Sequence, residues 1–399
     1  MRKTIAIAAS AVMMLSNVIA VSAATNVNDI VNSGYNLDVN SSSNQTNVVT
    51  VNNSNTAVIS QTDISSNNTG DNTSKGNIDL CGTCGAGGSS IVTGNAGSVS
   101  NMDVNVNSNS TAVTLPSGSG SSTNNAVITN TGKHADFNLS ANTTNVVTVN
   151  NSNEARINQT SISNNNTGDN YSGKNIGSAG IMTGDALSES NMSATGNSNA
   201  TLVGGEAGLG SCDTCVGNYN NITNTGYNLD VNSSTNDVNV IGVNNYNGLW
   251  VSQTVIASNN TGGNRSKYNI GNGGILTGNA GSLSNMAAGG NSNATVVGFD
   301  GLPMGANWNQ VVNTGANGDL NLSANTVSVA TTSNTNALMD VQFALASNQS
   351  GYNYQYHNIG FWGTMTGNAG TGNNFSVWGN SNNTLIGGMW GLLAWLAWL

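Results

Sequence analysis

The chain has 399 residues and a formal net charge of −10, and only 7% of its residues are charged and 5% aromatic. An acidic, sparsely charged surface repels phosphate backbones, which argues against nucleic acid as a partner. Its 18 acidic residues are scattered singly, so they read as solubilising charges and not as a binding patch.

The chain opens with MRKT, runs through IAIAASAVMMLSNVIAV and reaches SAA. A basic start, an apolar core and small residues before a polar stretch predict a secretory signal peptide over residues 1–24, cut after Ala23 or Ala24. The other reading is an uncleaved membrane anchor, for which the run is short. Cleavage removes Arg2 and Lys3 and leaves 6 basic residues against 18 acidic ones, a net charge of −12. The expected destination is the cell surface or the medium.

Low charge and few aromatics would suit disorder. Yet Val, Ile and Ala return at fixed places through four units, residues 25–122, 123–217, 218–305 and 306–386. SSNNTGDN at 65–72 comes back as SNNNTGDN at 163–170, ASNNTGGN at 257–264 and ASNQSGYN at 346–353. The intervals are 98, 94 and 89 residues, and a fixed period of this kind marks a repeat architecture.

Within each unit the glycines beat at a finer interval. An opening glycine (Gly34, Gly132, Gly226, Gly315) is followed 36 residues later by Gly70, Gly168, Gly262 and Gly351. Asn52, Asn150, Asn244 and Ser333 lie halfway, and a third TG phrase ends at Gly94, Gly184, Gly278 and Gly367. This reads as sub-repeats of roughly 16–20 residues, with length variation collected late in each unit.

The prediction is an all-β fold, a β-solenoid of about 20 short coils, a rod near ~100 Å long. Four tandem β-sandwich domains are the alternative, since units of ~90–100 residues suit that fold. Few aromatics and no tryptophan position shared by all units weigh against it.

Alternation places Val49 and Val51 on one face of a strand and Ala57, Ile59 and Gln61 on one face of the next. Stacked coils lay like residues over like, so Gln61, Gln159, Gln253 and Gln342 are the expected side-chain ladder. Gly70, Gly168, Gly262 and Gly351 are the expected turn positions.

Signs of chemistry are few. CGTC (Cys81, Cys84) and CDTC (Cys212, Cys215) admit local disulfides, an intermolecular link, a four-cysteine zinc site or a redox pair. In an exported chain, local closure is the plainest of these. His134 and His357 have no carboxylate or cysteine at a recognisable spacing, and no nucleophile elbow is present. GDN at 70–72 and 168–170 lacks the Asp-dense calcium pattern. The N-x-S/T sequons are as numerous as an Asn- and Thr-rich chain must have them. Neither an enzyme nor a cofactor is expected.

The chain ends GGMWGLLAWLAWL, an apolar tail over 387–399. Thirteen residues are too few for a membrane-spanning helix. Trp390, Leu392, Leu393, Trp395, Leu396, Trp398 and Leu399 therefore read as a cap over an open solenoid end, an assembly contact or a membrane-interface contact.

The pattern N-x-A-x-I-x-Q occurs as NTAVISQ (55–61) and NEARINQ (153–159), with the variant NGLWVSQ (247–253). It is similar to half of the curlin repeat of bacterial surface amyloid fibres. Unit four departs from it, with Asp340 at the apolar position, and the Ser/Gln opening half is absent. The whole chain resembles the Asn/Thr/Gly-rich repeat proteins that bacteria export to their surfaces. The resemblance implies strand–turn–strand coils able to stack between molecules.

The functional expectation is an exported structural protein of the cell surface or matrix, a fibre subunit whose partner is itself, end to end, or another surface component. The alternative is an adhesin-like stalk that binds carbohydrate or a surface through one face. An ice- or mineral-binding face needs regular Thr-x-Thr rows, and TVN and TNVVTVN are irregular.

Overall fold

A computed structural model describes residues 14–20, 25–32, 35–78, 89–115, 123–205, 216–298, 306–313 and 316–387. These residues form strands and turns with no helix, and the expected solenoid is present. Every strand pairing is parallel, and each of the five sheets takes one strand from each of the four units. Four independent sandwich domains are thereby excluded, because no unit can complete a sheet alone.

The number of coils differs from expectation. Tyr35–Asn68, Lys133–Asn166, Tyr227–Asn260 and Ala316–Gln349 are single strands of 34 residues that stack in one long sheet. Thr50 pairs with Thr148, which is 98 residues on; Thr148 pairs with Gly242, 94 on, and Gly242 with Thr331, 89 on. One repeat unit is thus one coil, and the stack has four rungs rather than about twenty.

The physical reason lies in what a parallel ladder rewards, like over like at every position. Whole units match along their length, whereas the 18-residue sub-repeats match only at their glycine or asparagine. Asn52, Asn150 and Asn244 accordingly sit in mid-strand and stack on one another. The two strands expected across Val49–Gln61 are one strand with a single inward face. Four rungs at ~4.8 Å stand ~19 Å tall, and a 34-residue strand runs ~110 Å.

Each rung follows one path. A short strand (Thr25–Asn32 in the first rung) precedes the long one and pairs with Thr123–Asn130, which leads on to Val216–Asn224 and Ala306–Asn313. The long strand ends at a corner, and a three-residue strand follows: Thr73–Lys75, Tyr171–Gly173, Arg265–Lys267 or Tyr354–Tyr356. A second corner leads into Ala96–Leu115, Ala186–Gly205, Ala280–Gly298 or Ala369–Gly387, which stack as a second large sheet. The strand Met14–Ala20, inside the predicted leader, pairs with Ser108–Thr114 at the outer edge of that sheet.

The inward face of the long sheet is covered twice. The first short strands pack on its N-terminal part through Ile128, Phe137, Leu139, Ile222, Leu229 and Val231. The second large sheet packs on the remainder through Val104, Val106, Ala155, Ile157, Leu249 and Val251. A further apolar cluster of Val113, Val147, Val149, Val203, Ile241, Val243 and Val297 lies between the two.

Polar side chains share this interior. Asn153, Gln159, Asn165 and Asn247 are fully buried. Such groups are tolerated only when hydrogen-bonded, and the stack supplies partners from the rungs on either side.

Candidate functional site at the stack ends

The two outer rungs present the molecule's unmatched surfaces. Among the described residues, the long strand of the fourth rung pairs only with the third, and that of the first only with the second. Each end therefore carries an edge strand 34 residues long, a template for another strand.

Side-chain ladders run to both ends with fixed polarity. Gln159 Nε2 donates to Gln61 Oε1 at 2.9 Å, Gln253 to Gln159 at 2.8 Å, and Gln342 to Gln253 at 2.9 Å. That row ends in a carboxamide oxygen at Gln342 and an amide nitrogen at Gln61. An asparagine row runs the opposite way, with Asn53 Nδ2 donating to Asn151, Asn151 to Asn245, and Asn245 to Asn334, each at 2.8 Å. Asn55, Asn153, Asn247 and Asn336 form a second row of this sense. Donors and acceptors at one end thus complement those at the other.

The corner glycines stack as well. A Cβ on Gly70 would run into the backbone of Gly168, one on Gly168 into Gly262, and one on Gly262 into Gly351. Gly351 has open space in that direction. The second corner points the other way: Gly367 abuts Gly278, Gly278 abuts Gly184, Gly184 abuts Gly94, and Gly94 has open space. At these corners the backbones of successive rungs touch, so a side chain has no room.

Acids sit in the inward face near the ends. Asp340 continues the column Ile59, Ile157, Val251, and Asp63 begins the column Asp63, Ser161, Val255, Ala344. Burial raises the Asp340 carboxyl above its ordinary range, against the backbone hydrogen bond from Val341, and its Oδ1 has no partner. On the outward face Asp38, Asp136, Asp230 and Asp319 form an exposed row, one per rung. No group of three or more His, Cys, Asp or Glu among the described residues is arranged to hold a metal.

Asp237, in the third rung, is 3% exposed. Burial pushes its carboxyl up to about 6, while the amide of Asn239 on Oδ2 acts in the opposite direction. The unfolded chain gives up this proton near ~4 and the folded chain only near 6, so stability falls as pH rises between those values. The loss is on the order of 3 kcal/mol and is complete above neutral pH. Asp237→Asn is expected to flatten this part of the profile and raise stability at pH 7, read from denaturant midpoints at pH 4, 6 and 7.5.

Both histidines pack against aromatic rings. His134 lies between Tyr35 and Tyr227, with centroids at 5.3 and 6.4 Å. His357 lies against Tyr356 at 3.6 Å and Tyr268 at 5.3 Å. Cys81, Cys84, Cys212 and Cys215 and the tail residues Trp390, Leu392, Leu393, Trp395, Leu396, Trp398 and Leu399 lie outside the described residues.

Sequence reasoning found the glutamine row and the corner glycines from their spacing alone. It did not anticipate Asp63, or the opposite facing of the two corners, because both require the 98-residue register. No helix among the described residues is long and apolar enough to cross a membrane. No protein-family model, curated protein or solved structure matches the chain.

Proposed function

We propose that the chain is an exported structural protein of the cell surface or extracellular matrix, whose copies stack end to end into a fibre. The observation that carries this reading is the pair Gly351 and Gly94. Every other member of their two columns abuts the backbone of a neighbouring rung, and these two face open space. Neither has a backbone conformation that demands glycine. Placed on the fourth rung, the first rung of a second copy sets Gly70 over Gly351 and Gly94 over Gly367, and both columns continue.

The ladders support the same placement. Gln342 offers a carboxamide oxygen where the next copy brings the amide of Gln61. Asn334 and Asn336 meet Asn53 and Asn55 with the donor–acceptor sense of the rungs below. Such a contact is heterologous and does not close on itself, so it propagates. Backbone pairing along a 34-residue edge and stacked amides are also what stabilise cross-β fibres.

The predicted leader bears on this contact. Met14–Ala20 occupies the edge of Ser108–Thr114, the place that Ser381–Gly387 of a second copy takes in the stack. Removing residues 1–24 opens that edge, so export and assembly become coupled. In the sequence the apolar tail follows Gly387, and it is read as a second contact between copies. This function calls on no catalytic group and no cofactor.

The test is electron microscopy and fibre diffraction of residues 25–399. Unbranched fibres with a meridional repeat of ~4.7–4.8 Å are expected. Particles that stay one chain in size at every concentration and salt tried would overturn assembly and leave a short stalk.

A further inference from the structure

The corner that follows the long strand gathers most of the chain's basic side chains outside the predicted leader. The three-residue strands stack as the columns Thr73, Tyr171, Arg265, Tyr354 and Lys75, Gly173, Lys267, Tyr356. The residues that follow are Gly76, Lys174, Tyr268 and His357, each with positive φ. Of the six basic residues outside the predicted leader, Lys75, Lys174, Arg265 and Lys267 are all here. Four tyrosines and a histidine join them within one narrow stripe along the stack.

The stripe faces solvent. Tyr354, Tyr356 and Tyr268 are 48%, 42% and 47% exposed. The rings are ordered by one another: Tyr354 stacks on Tyr356 at 5.9 Å, and Tyr268 meets Tyr356 edge-on at 6.0 Å. Lys267 Nζ stands 5.4 Å from the Tyr354 ring centre. The Tyr171 side chain lies against Gly173, where a Cβ would meet its Cζ at 2.6 Å.

Two acids flank the stripe. Asp71 accepts from Asn68 at 2.7 Å and from Asn166 at 3.3 Å. Asp169 accepts from Asn260 at 2.7 Å. In the third and fourth rungs the same position holds Gly263 and Tyr352, and the Asp169 carboxylate reaches over Gly263 and is attracted by Arg265.

We propose that this stripe binds an acidic polysaccharide, a polymer of uronic-acid type, with its carboxylates on Arg265 and the lysines and its sugar faces on the tyrosine rings. Guanidinium and ammonium groups recognise carboxylates by charge-assisted hydrogen bonds. Ring faces offer apolar area with a polar tip, the surface that a sugar's C–H face and hydroxyls match. A polyuronate carries one charge per sugar, whereas duplex DNA carries one per ~1.7 Å, which an acidic chain repels as a whole. One row of contacts per rung, ~4.8 Å apart, gives a long polymer many weak attachments at once. The stripe lies on the side of the stack, so binding does not depend on fibre formation, and a fibre simply lengthens it.

The test is binding of the purified chain to immobilised polygalacturonate at physiological salt, with dextran and duplex DNA as comparison surfaces. Binding to polygalacturonate alone is expected. The variant Lys75→Gln/Lys174→Gln/Arg265→Gln/Lys267→Gln should lose it at least tenfold, and Lys133→Gln/Arg156→Gln should keep it. Tyr268→Ser/Tyr354→Ser retains every charge and should still weaken binding several-fold, which separates ring contacts from bulk attraction. All three variants should keep the β-sheet circular dichroism of the parent, since every changed side chain points outward. Gly351→Ala, which leaves the stripe intact, should bind as the parent does per chain even if stacking fails. No binding, equal binding to DNA, equal binding to dextran, or indifference to the tyrosine changes would each overturn the assignment.

Discussion

A Gly168→Ala chain is expected to lose its fold, and a Gly351→Ala chain to keep its fold and lose only the ability to stack. The two glycines occupy the same place in the second and fourth rungs and differ in what lies above them. A methyl on Gly168 overlaps the carbonyl oxygen of Gly262 and comes within 2.8 Å of the Thr261 carbonyl carbon and 2.9 Å of the Gly262 nitrogen. All of these atoms are backbone, and amide ladders hold them in register, with Asn166 and Asn260 bonded just before the corner. No side chain can swing aside. An extra methylene in a packed core costs about 1–3 kcal/mol, and a clash with fixed backbone should exceed the top of that range. Gly351 has nothing within 4 Å in the same direction. Its substitution should leave the denaturation midpoint unchanged and abolish fibres seen by microscopy. If Gly351→Ala still forms fibres with the parent's repeat, the first rung of the next copy does not sit where the columns place it.

The same contrast shows how much of this molecule was legible in its sequence. The period of 98, 94 and 89 residues, the inward alternation and the glutamine row were readable, because each is a property of like residues at equal spacing. The coil length was misread for a physical reason. NNSN at 52–55 is turn-forming by local preference, yet it lies inside a strand. Asn53 and Asn55 point inward, where each donates to the next rung, and Asn109 and Thr111 across the sandwich add further bonds. Local turn preference is worth less than a buried amide with partners on two sides. A beat of glycine and asparagine therefore marks a coil end only where the backbone also turns. It does so at Gly70 and not at Asn52. The stripe of Lys75, Lys174, Arg265 and Lys267 was out of reach for a related reason. Its members are ~100 residues apart in the chain and adjoin only once the rung length is known.

Assembly is expected to be favoured by acid, and Asp340→Val to remove much of that dependence while promoting fibres at neutral pH. In the proposed stack Asp340 is covered by Ile59 of the next copy, closing an otherwise apolar column. Asp63 of that copy comes down over Ala344, four residues away along the strand, a separation of ~13 Å. Two carboxylates thus enter one interior. The facing sheet offers Val104, Val106, Ala194 and Ala288 in this region, with no cation. Among the described residues of the fourth rung, the other titratable side chains are Asp319, Tyr352, Tyr354, Tyr356 and His357. In the first rung they are Asp29, Tyr35, Asp38, Asp71, Lys75 and Asp103, and Lys75 belongs to the outward corner. Burial already raises Asp340 in the single chain, and full enclosure raises it further. The stacked form therefore holds its proton to higher pH than the free form. Stacking takes up a proton, and the critical concentration rises with pH by at most about tenfold per unit for each acid enclosed. The outward row of Asp38 and Asp319 adds a part that salt screens, with a Debye length of ~8 Å at 0.15 M. Comparing parent and variant at that ionic strength isolates the inward acid. The critical concentration of Asp340→Val between pH 4.5 and 7.5 should follow a slope smaller than the parent's by up to one decade per unit. An inward charge at an edge is a known restraint on uncontrolled pairing, and here it sets the condition under which stacking begins. A variant whose slope equals the parent's places Asp340 outside the contact and requires a different register between copies.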